Sequence, residues 1–124
     1  HIFRITEALM DCANGEELTV SYYHDIPPAD MQTFEQIAAF GDGVRAQLKE
    51  WWTSYPHKNG DAIVDTYFGE KPLHEVLERS TWHSGQHGRQ LVMAMEEFMD
   101  ITPDRPLTAA DYVGLPLPDK VWDE

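Results

Sequence analysis

The sequence predicts an all-α domain, built as a helical bundle of up to four helices. Three long segments carry apolar residues at steps of three and four, the period of amphipathic helices that face a core. Clusters of proline, glycine and asparagine fall between these segments, where connections are expected. The 124 residues can bury a sizeable core and no repeat or linker divides them, so we expect a single domain over residues 1–124.

The first helix is expected over residues 1–13, where the apolar stripe begins with a histidine. Asn14 and Gly15 supply its C-terminal stop, because both residues tolerate the left-handed conformation that ends many helices. The apolar period is already established at residue 1, and no helix-capping residue precedes it. We therefore expect the domain to be incomplete at its N-terminus. The stripe consists of His1, Ile5, Ala8, Leu9 and Cys12.

The second helix is expected from about Asp30 to Tyr55, after a connector over residues 16–28. Gly41 lies on its stripe, although glycine in a helix interior costs about 1 kcal/mol relative to alanine. Either the close approach of a neighbouring helix or a local kink would account for this glycine. The other stripe positions are Phe34, Ile37, Val44, Leu48 and Trp51.

A small β-hairpin is the one β-structure that the composition indicates. Residues 18–23 and 62–68 lean towards β-branched and aromatic side chains, and Gly69 ends the second run. We therefore expect these two runs to pair with each other.

The third and longest helix is expected to begin at Pro72, a residue suited to the first turn, and to end between Met99 and Ile101. A short last helix should begin at Thr108. Residues 115–122 should then form an extended tail that is held by its apolar side chains. The stripe of the third helix consists of Leu73, Val76, Ser80, His83, His87, Leu91, Ala94 and Phe98.

Charge and cysteine content exclude several classes of partner. The formal net charge is −13, from 22 acidic against 9 basic residues, whereas nucleic acids and anionic membranes both require clustered lysine and arginine. No run of about 18 apolar residues indicates a membrane span.

Cys12 is the only cysteine, so we expect no disulfide, no cysteine-rich zinc site and a reducing, cytoplasmic environment. Its place on an apolar stripe predicts a buried, inert thiol.

Two histidines one helical turn apart, His83 and His87, are the strongest functional signal. Residues at i and i+4 share a helix face, and these two lie within the apolar stripe, where helical bundles build metal sites. A hydrogen-bonded pair of core histidines is the alternative. A third ligand is needed for tight binding, and His1 is the best candidate because it lies on a core stripe, with His24 in reserve. The other histidines are expected at the protein surface: His57 and His74.

This ligand set predicts a divalent metal ion, with Zn²⁺ or Ni²⁺ favoured and Fe²⁺, Co²⁺ or Mn²⁺ as alternatives. No glutamate follows His83, which excludes the metalloprotease arrangement. Gly85 and Gly88 are expected to relieve crowding where helices cross, or else to leave room for a substrate above the metal. Gln90 is placed to hydrogen-bond a ligand or core backbone, and Arg89 is expected in a salt bridge with one of the many acids.

Three segments together resemble the DinB-like family. Residues 77–91 resemble its last core helix, in which a His-x-x-x-His pair is followed by a glutamine, and residues 1–8 resemble the helix with the first metal histidine. Residues 106–123 are similar to a subgroup of DinB-like modules, some of which are joined to glutaredoxin-like domains. The resemblance implies a four-helix bundle with a metal bound by three histidines, and a first core helix that would precede the first of them. Carried over to this chain, the implied ligands are His1, His83 and His87.

Two functions from different classes are consistent with these observations. The first is a metal-dependent enzyme with an open coordination position that activates a small thiol or water, because relatives include mycothiol- and bacillithiol-dependent transferases and a maleylpyruvate isomerase. The second is a non-catalytic metal-binding or assembly module that is accessory to a redox domain. No basic cluster is available to recognise the carboxylates of a low-molecular-weight thiol, which weighs against thiol transfer. If one wall of the bundle is missing, a partner chain must cover the exposed apolar face, so we expect a homodimer.

Overall fold

The computed structural model describes residues 1–105 and 107–122. The described chain is mainly α-helical, as the sequence predicted, and no helix in it is both long and apolar enough to cross a membrane. It divides into two compact units, His1–Leu77 and Glu78–Glu124. Its elements are α1 (Ile2–Ala13), a 3₁₀ helix (Val20–Tyr23), α2 (Phe34–Ser54), β1 (Ile63–Val64), β2 (Lys71–Pro72), α3 (Leu73–Met99) and a second 3₁₀ helix (Ala109–Tyr112).

The core of the first unit forms around α1, whose predicted stripe is buried from Ile5 to Cys12, whereas its first member, His1, is exposed. Leu9 is 4% exposed and Cys12 is 1% exposed, and the start of α3 contributes Leu73 to the same core. Gly15 has a φ of 100° just beyond the helix, which confirms the expected stop. The buried members of this core are Ala8, Leu9, Cys12, Leu18, Tyr55, Val64, Leu73 and Val76.

Helix α2 begins at Phe34, four residues later than the sequence suggested. Thr33 and Gln36 form a capping box, in which the Thr33 hydroxyl accepts from the Gln36 amide and the Gln36 side chain accepts from the Thr33 amide. This reciprocal cap satisfies two backbone donors, so the helix begins there although the apolar period extends further back. Phe34 is 87% exposed, whereas Val44 is buried, so the predicted stripe is covered only in its second half.

The close approach predicted as one explanation of Gly41 is confirmed. The ring of Phe3 on α1 lies against Gly41 of α2, and a Cβ added at Gly41 would overlap that ring. Phe3 also packs edge-on against Phe40, with 5.9 Å between the ring centroids. The missing side chain therefore lets two helices of the first unit meet closely.

The small hairpin is present, but its predicted pairing is wrong. Strand β1 pairs antiparallel with β2, with Ile63 opposite Pro72 and Val64 opposite Lys71. Residues 20–23 form a 3₁₀ helix instead of a strand, and Leu18 makes only an isolated parallel bridge to Thr66. β-Leaning composition marks residues that suit a strand but does not specify their partner.

In the second unit, α3 ends where the sequence predicted. Asp100 takes a φ of 54°, and the Ile101 amide donates to the Met95 carbonyl at 2.9 Å, which closes the last turn. The apolar stripe does not stay covered along this part of the helix, because Leu91 is 58% exposed and Phe98 is 76% exposed. Thr108 and Asp111 form the expected cap, although the element that they begin is a short 3₁₀ helix. Pro106 and Asp123, part of the segment similar to DinB-like modules, lie outside the described residues.

Two glycines of α2 offer a matched test of the helix contact. Gly41→Ala should lower the free energy of unfolding by about 1–2 kcal/mol, because overlap with the Phe3 ring outweighs the gain in helix propensity. Gly43→Ala should raise it by about 0.5–1 kcal/mol, since a Cβ there meets no atom within 4 Å. Urea unfolding of both variants checks this, and equal stabilisation by the two substitutions would contradict the contact.

Candidate metal centre

The centre of α3 brings His83 and His87 together on one face, as their spacing predicted. Their ring centroids lie 4.5 Å apart at an interplanar angle of 86°, and the two Nε2 atoms are separated by 3.2 Å. Both imidazoles are half-buried. Trp82 packs edge-on against His83, with 6.3 Å between ring centroids, and helps to fix the orientation of that ring.

The separation of the two Nε2 atoms fits a shared metal ion. Nitrogens that bind one ion at about 2.0–2.1 Å stand about 2.9–3.4 Å apart in octahedral or tetrahedral geometry. The observed 3.2 Å between His83 and His87 falls inside this range without any change of the helix. The same distance also suits an N–H···N hydrogen bond, which is the alternative that the sequence left open.

The orientation of the Gln90 amide indicates which ring nitrogen of His87 carries the proton. The Gln90 Nε2 donates to the Val121 carbonyl at 3.1 Å, so its Oε1 is left as the acceptor that faces His87 Nδ1 at 2.7 Å. His87 Nδ1 therefore carries a proton, and in the neutral ring Nε2 presents a lone pair. This tautomer is the one required of a ligand that binds metal through Nε2. The expectation that Gln90 bonds backbone is met at Val121, and its other partner is the candidate ligand His87.

His83 is held in its neutral form at physiological pH. Burial lowers the pKa of His83 to about 4, and the neighbouring His87 and Arg79 act in the same direction. A neutral imidazole does not have to lose a proton before it binds a metal ion. His83 can therefore offer a nitrogen lone pair near pH 7.

The two candidates for a third ligand belong to the first unit. His1 is the N-cap residue of α1 and is exposed, with its ring centroid 5.6 Å from that of Tyr23. His24 is exposed and follows the 3₁₀ helix over residues 20–23. The inclusion of His1 with the pair on α3, and the reserve role of His24, stay predictions.

The remaining histidines lie at the surface, as expected. His57 is exposed and packs edge-on against Tyr55, with 5.8 Å between ring centroids. His74 is also exposed, and its Nδ1 lies 3.3 Å from the Gly60 carbonyl.

Gly85 and Gly88 accommodate the C-terminal segment. A Cβ at Gly88 would lie 2.7 Å from the Leu107 Cδ1, and a Cβ at Gly85 would lie 3.4 Å from the Tyr112 ring and 3.5 Å from Leu115. Relief of crowding therefore explains Gly88 within this unit, whereas a Cβ at Gly85 would make only ordinary van der Waals contacts. The crowding comes from a 3₁₀ helix and its flanks, where the sequence suggested a helix crossing.

Sequence reasoning missed a set of hydrogen bonds between α3 and the C-terminal tail. Arg89, expected in a salt bridge, instead donates to the carbonyls of Pro118 at 2.7 Å and Asp119 at 3.3 Å, and to Gln86 Oε1 at 3.1 Å. Gln86 is buried, and its Nε2 donates to the Val121 carbonyl at 2.6 Å. Pro116 and Pro118 lack amide hydrogens, which disfavours a strand in this tail, but nothing in the sequence indicated which side chains would bind its carbonyls.

An open cavity of about 550 Å³ lies beside this tail, and neither His83 nor His87 lines it. Its walls are mainly apolar side chains of α3 and of residues 107–121, among them Val92, Met93, Leu107 and Leu117. The cavity is therefore a feature of how the C-terminal segment packs on α3.

Cys12 is an inert thiol and does not serve as a nucleophile. Its Sγ donates to the Asp65 carbonyl at 3.5 Å, and burial raises the pKa of the thiol.

At pH 8 the raised pKa keeps the Cys12 thiol protonated, so a disulfide reagent should modify the folded chain at least about 100-fold more slowly than the unfolded chain. The thiol–disulfide exchange rates in buffer and in denaturant provide the measurement, and equal rates would contradict the buried position.

Comparison of this chain with protein-family models, with curated proteins and with solved structures finds no match. The likeness to DinB-like proteins therefore stays a prediction from the sequence. The chemistry of the candidate metal centre has to be argued from its own side chains.

Proposed function

We propose that this chain binds a divalent metal ion through His83, His87 and His1, and that it is a metal-dependent enzyme of the DinB-like type. The observation that carries the proposal is the pair of Nε2 atoms 3.2 Å apart, one of which belongs to a ring whose Nδ1 is bound to Gln90. A ligand histidine that donates its second N–H to a neighbouring acceptor is the usual arrangement at metal sites.

The donor set suits borderline metals. Neutral imidazoles favour Zn²⁺ or Ni²⁺, and Fe²⁺, Co²⁺ and Mn²⁺ are compatible alternatives. When bound with an open position, such an ion polarises a substrate oxygen or sulfur, or lowers the pKa of a water towards ~7. A small thiol or water is therefore the proposed reactant. His83 and His87 would supply nitrogen ligands through Nε2, and Gln90 would keep a proton of His87 on Nδ1.

The proposed setting is a single DinB-like domain in the cytoplasm that acts as a homodimer. A free thiol at Cys12 fits a reducing compartment. Large apolar side chains at the end of α3 are exposed, with Phe98 at 76% and Met99 at 59%, and a second copy of the chain would cover them.

The alternative is a non-catalytic metal-binding or assembly module, accessory to a redox domain. Its support comes from two arginines that already have partners within the chain. Arg4 is paired with Glu7 and Asp25, and Arg89 is committed to tail carbonyls. Side chains engaged in this way do not favour recognition of a carboxylate-bearing thiol.

Metal titration of single variants tests the ligand assignment. His83→Ala and His87→Ala should each abolish tight binding of Zn²⁺ or Ni²⁺, because either change breaks the chelating pair on α3 and leaves the ion only one imidazole from that helix beside His1. His1→Ala should weaken binding at least 10-fold, equivalent to about 1.4 kcal/mol. The control is His74→Ala, which should bind like the parent since His74 contacts Gly60 at the surface. The assignment is wrong if His1→Ala binds like the parent while His24→Ala does not.

The Co²⁺ form distinguishes the enzyme from the module. Addition of a small thiol should produce a sulfur-to-cobalt charge-transfer band if a coordination position is open, as catalytic sites require. An unchanged spectrum would indicate a closed shell and favour the non-catalytic module.

A further inference from the structure

The side-chain amide of Gln90 joins two parts of the second unit. Its Oε1 accepts from His87 Nδ1 at 2.7 Å, and its Nε2 donates to the Val121 carbonyl at 3.1 Å. An amide offers its acceptor on one end and its donors on the other, so the bond to Val121 dictates which end faces His87. If the amide turned over, its NH₂ group would face His87 Nδ1 and would select the opposite tautomer.

The Val121 carbonyl is itself held in place. It accepts a second bond from Gln86 Nε2 at 2.6 Å, and Gln86 also donates to the Lys120 carbonyl at 3.2 Å. Arg89 donates to the Pro118 and Asp119 carbonyls just before them. Three side chains within five positions of α3 thus bind four successive carbonyls of the tail, residues 118–121. We call these four residues the carbonyl strap.

We propose that Gln90 is a positioning residue for metal binding and that the carbonyl strap acts through it, so that the C-terminal tail sets the tautomer of His87. This inference rests on the proposed function, because it assigns His87 as a ligand through Nε2. The strap fixes the Gln90 amide, the amide fixes the proton on His87 Nδ1, and the lone pair on Nε2 is directed towards the Nε2 of His83. Partners of this kind typically change metal affinity by about 10- to 100-fold.

Two substitutions at Gln90 separate positioning from packing. Gln90→Met keeps the shape of the side chain but removes both hydrogen bonds, and Zn²⁺ affinity should fall by about 10- to 100-fold. Gln90→Glu keeps an acceptor for His87 Nδ1–H, and affinity should stay within about 3-fold of the parent. The matched control is Gln47→Met, at an exposed position of α2, which should leave affinity unchanged. A Gln90→Met variant that binds Zn²⁺ like the parent would overturn the proposal.

The nitrogen chemical shifts of the His87 ring in the metal-free protein provide a readout that needs no metal. The parent and Gln90→Glu should show the Nδ1–H tautomer, whereas Gln90→Met should show a mixture of tautomers. If the parent binds no metal, the proposed function fails while these spectra still decide whether Gln90 sets the tautomer. If the parent binds metal but the tautomer is the same in Gln90→Met, the positioning role fails and the proposed function stands.

The strap is tested by Gln86→Met, which removes the shorter of the two bonds to the Val121 carbonyl and leaves both histidines and Gln90 unchanged. We expect a loss of Zn²⁺ affinity of about 3- to 10-fold, together with partial loss of the Nδ1–H tautomer. If both the Zn²⁺ affinity and the His87 tautomer are unchanged in this variant, the C-terminal tail does not act through Gln90.

Discussion

The 3.2 Å approach of the His83 and His87 Nε2 atoms constrains the rest of the candidate metal centre. Two nitrogens at that distance cannot both carry a proton, so at least one presents a lone pair to the other. Burial keeps His83 neutral, and the Gln90 amide holds the His87 proton on Nδ1, away from the contact. A proton on His83 Nε2 would complete the pair as a hydrogen bond, and a divalent cation would complete it as two coordinate bonds. In both cases, the surroundings leave the lone pair of His87 Nε2 available, either to the His83 proton or to the cation.

The C-terminal tail depends on α3 for its polar partners. Leucine and proline alternate over residues 115–118, and proline has no amide hydrogen, so this stretch cannot form a strand ladder. From Pro118 onwards, the carbonyls of the tail accept hydrogen bonds from side chains of α3. Arg89 donates to the carbonyls of Pro118 and Asp119, and Gln86 and Gln90 both donate to the carbonyl of Val121, beyond the alternating stretch. Gly88 lets the preceding segment lie close to the same helix, because a Cβ there would lie only 2.7 Å from the Leu107 Cδ1.

The parts of the fold that the sequence predicted well are those set by local rules. The bounds of α1 and α3 follow from an apolar period that ends at recognisable stop signals, and the meeting of His83 with His87 follows from helix geometry alone. The start of α2 is also predictable, since the Thr33–Gln36 capping box can be recognised in the sequence. The apolar period extends beyond this cap towards the N-terminus and therefore suggests a start that is too early. The strand partner of residues 63–64 was not readable, because pairing is a non-local choice among segments of similar composition.

The partners of the polar side chains on α3 were the least predictable part of the site, and Arg89 shows why. In a chain with a net charge of −13, an arginine is expected to pair with a carboxylate. An exposed salt bridge contributes only about 0–1 kcal/mol, however, so a carboxylate has little energetic advantage over a nearby backbone carbonyl. The carbonyls of Pro118 and Asp119 therefore compete successfully for the guanidinium. Carbonyls are present at every residue and have no sequence signature, so this preference emerges only once the tail has been placed beside the helix.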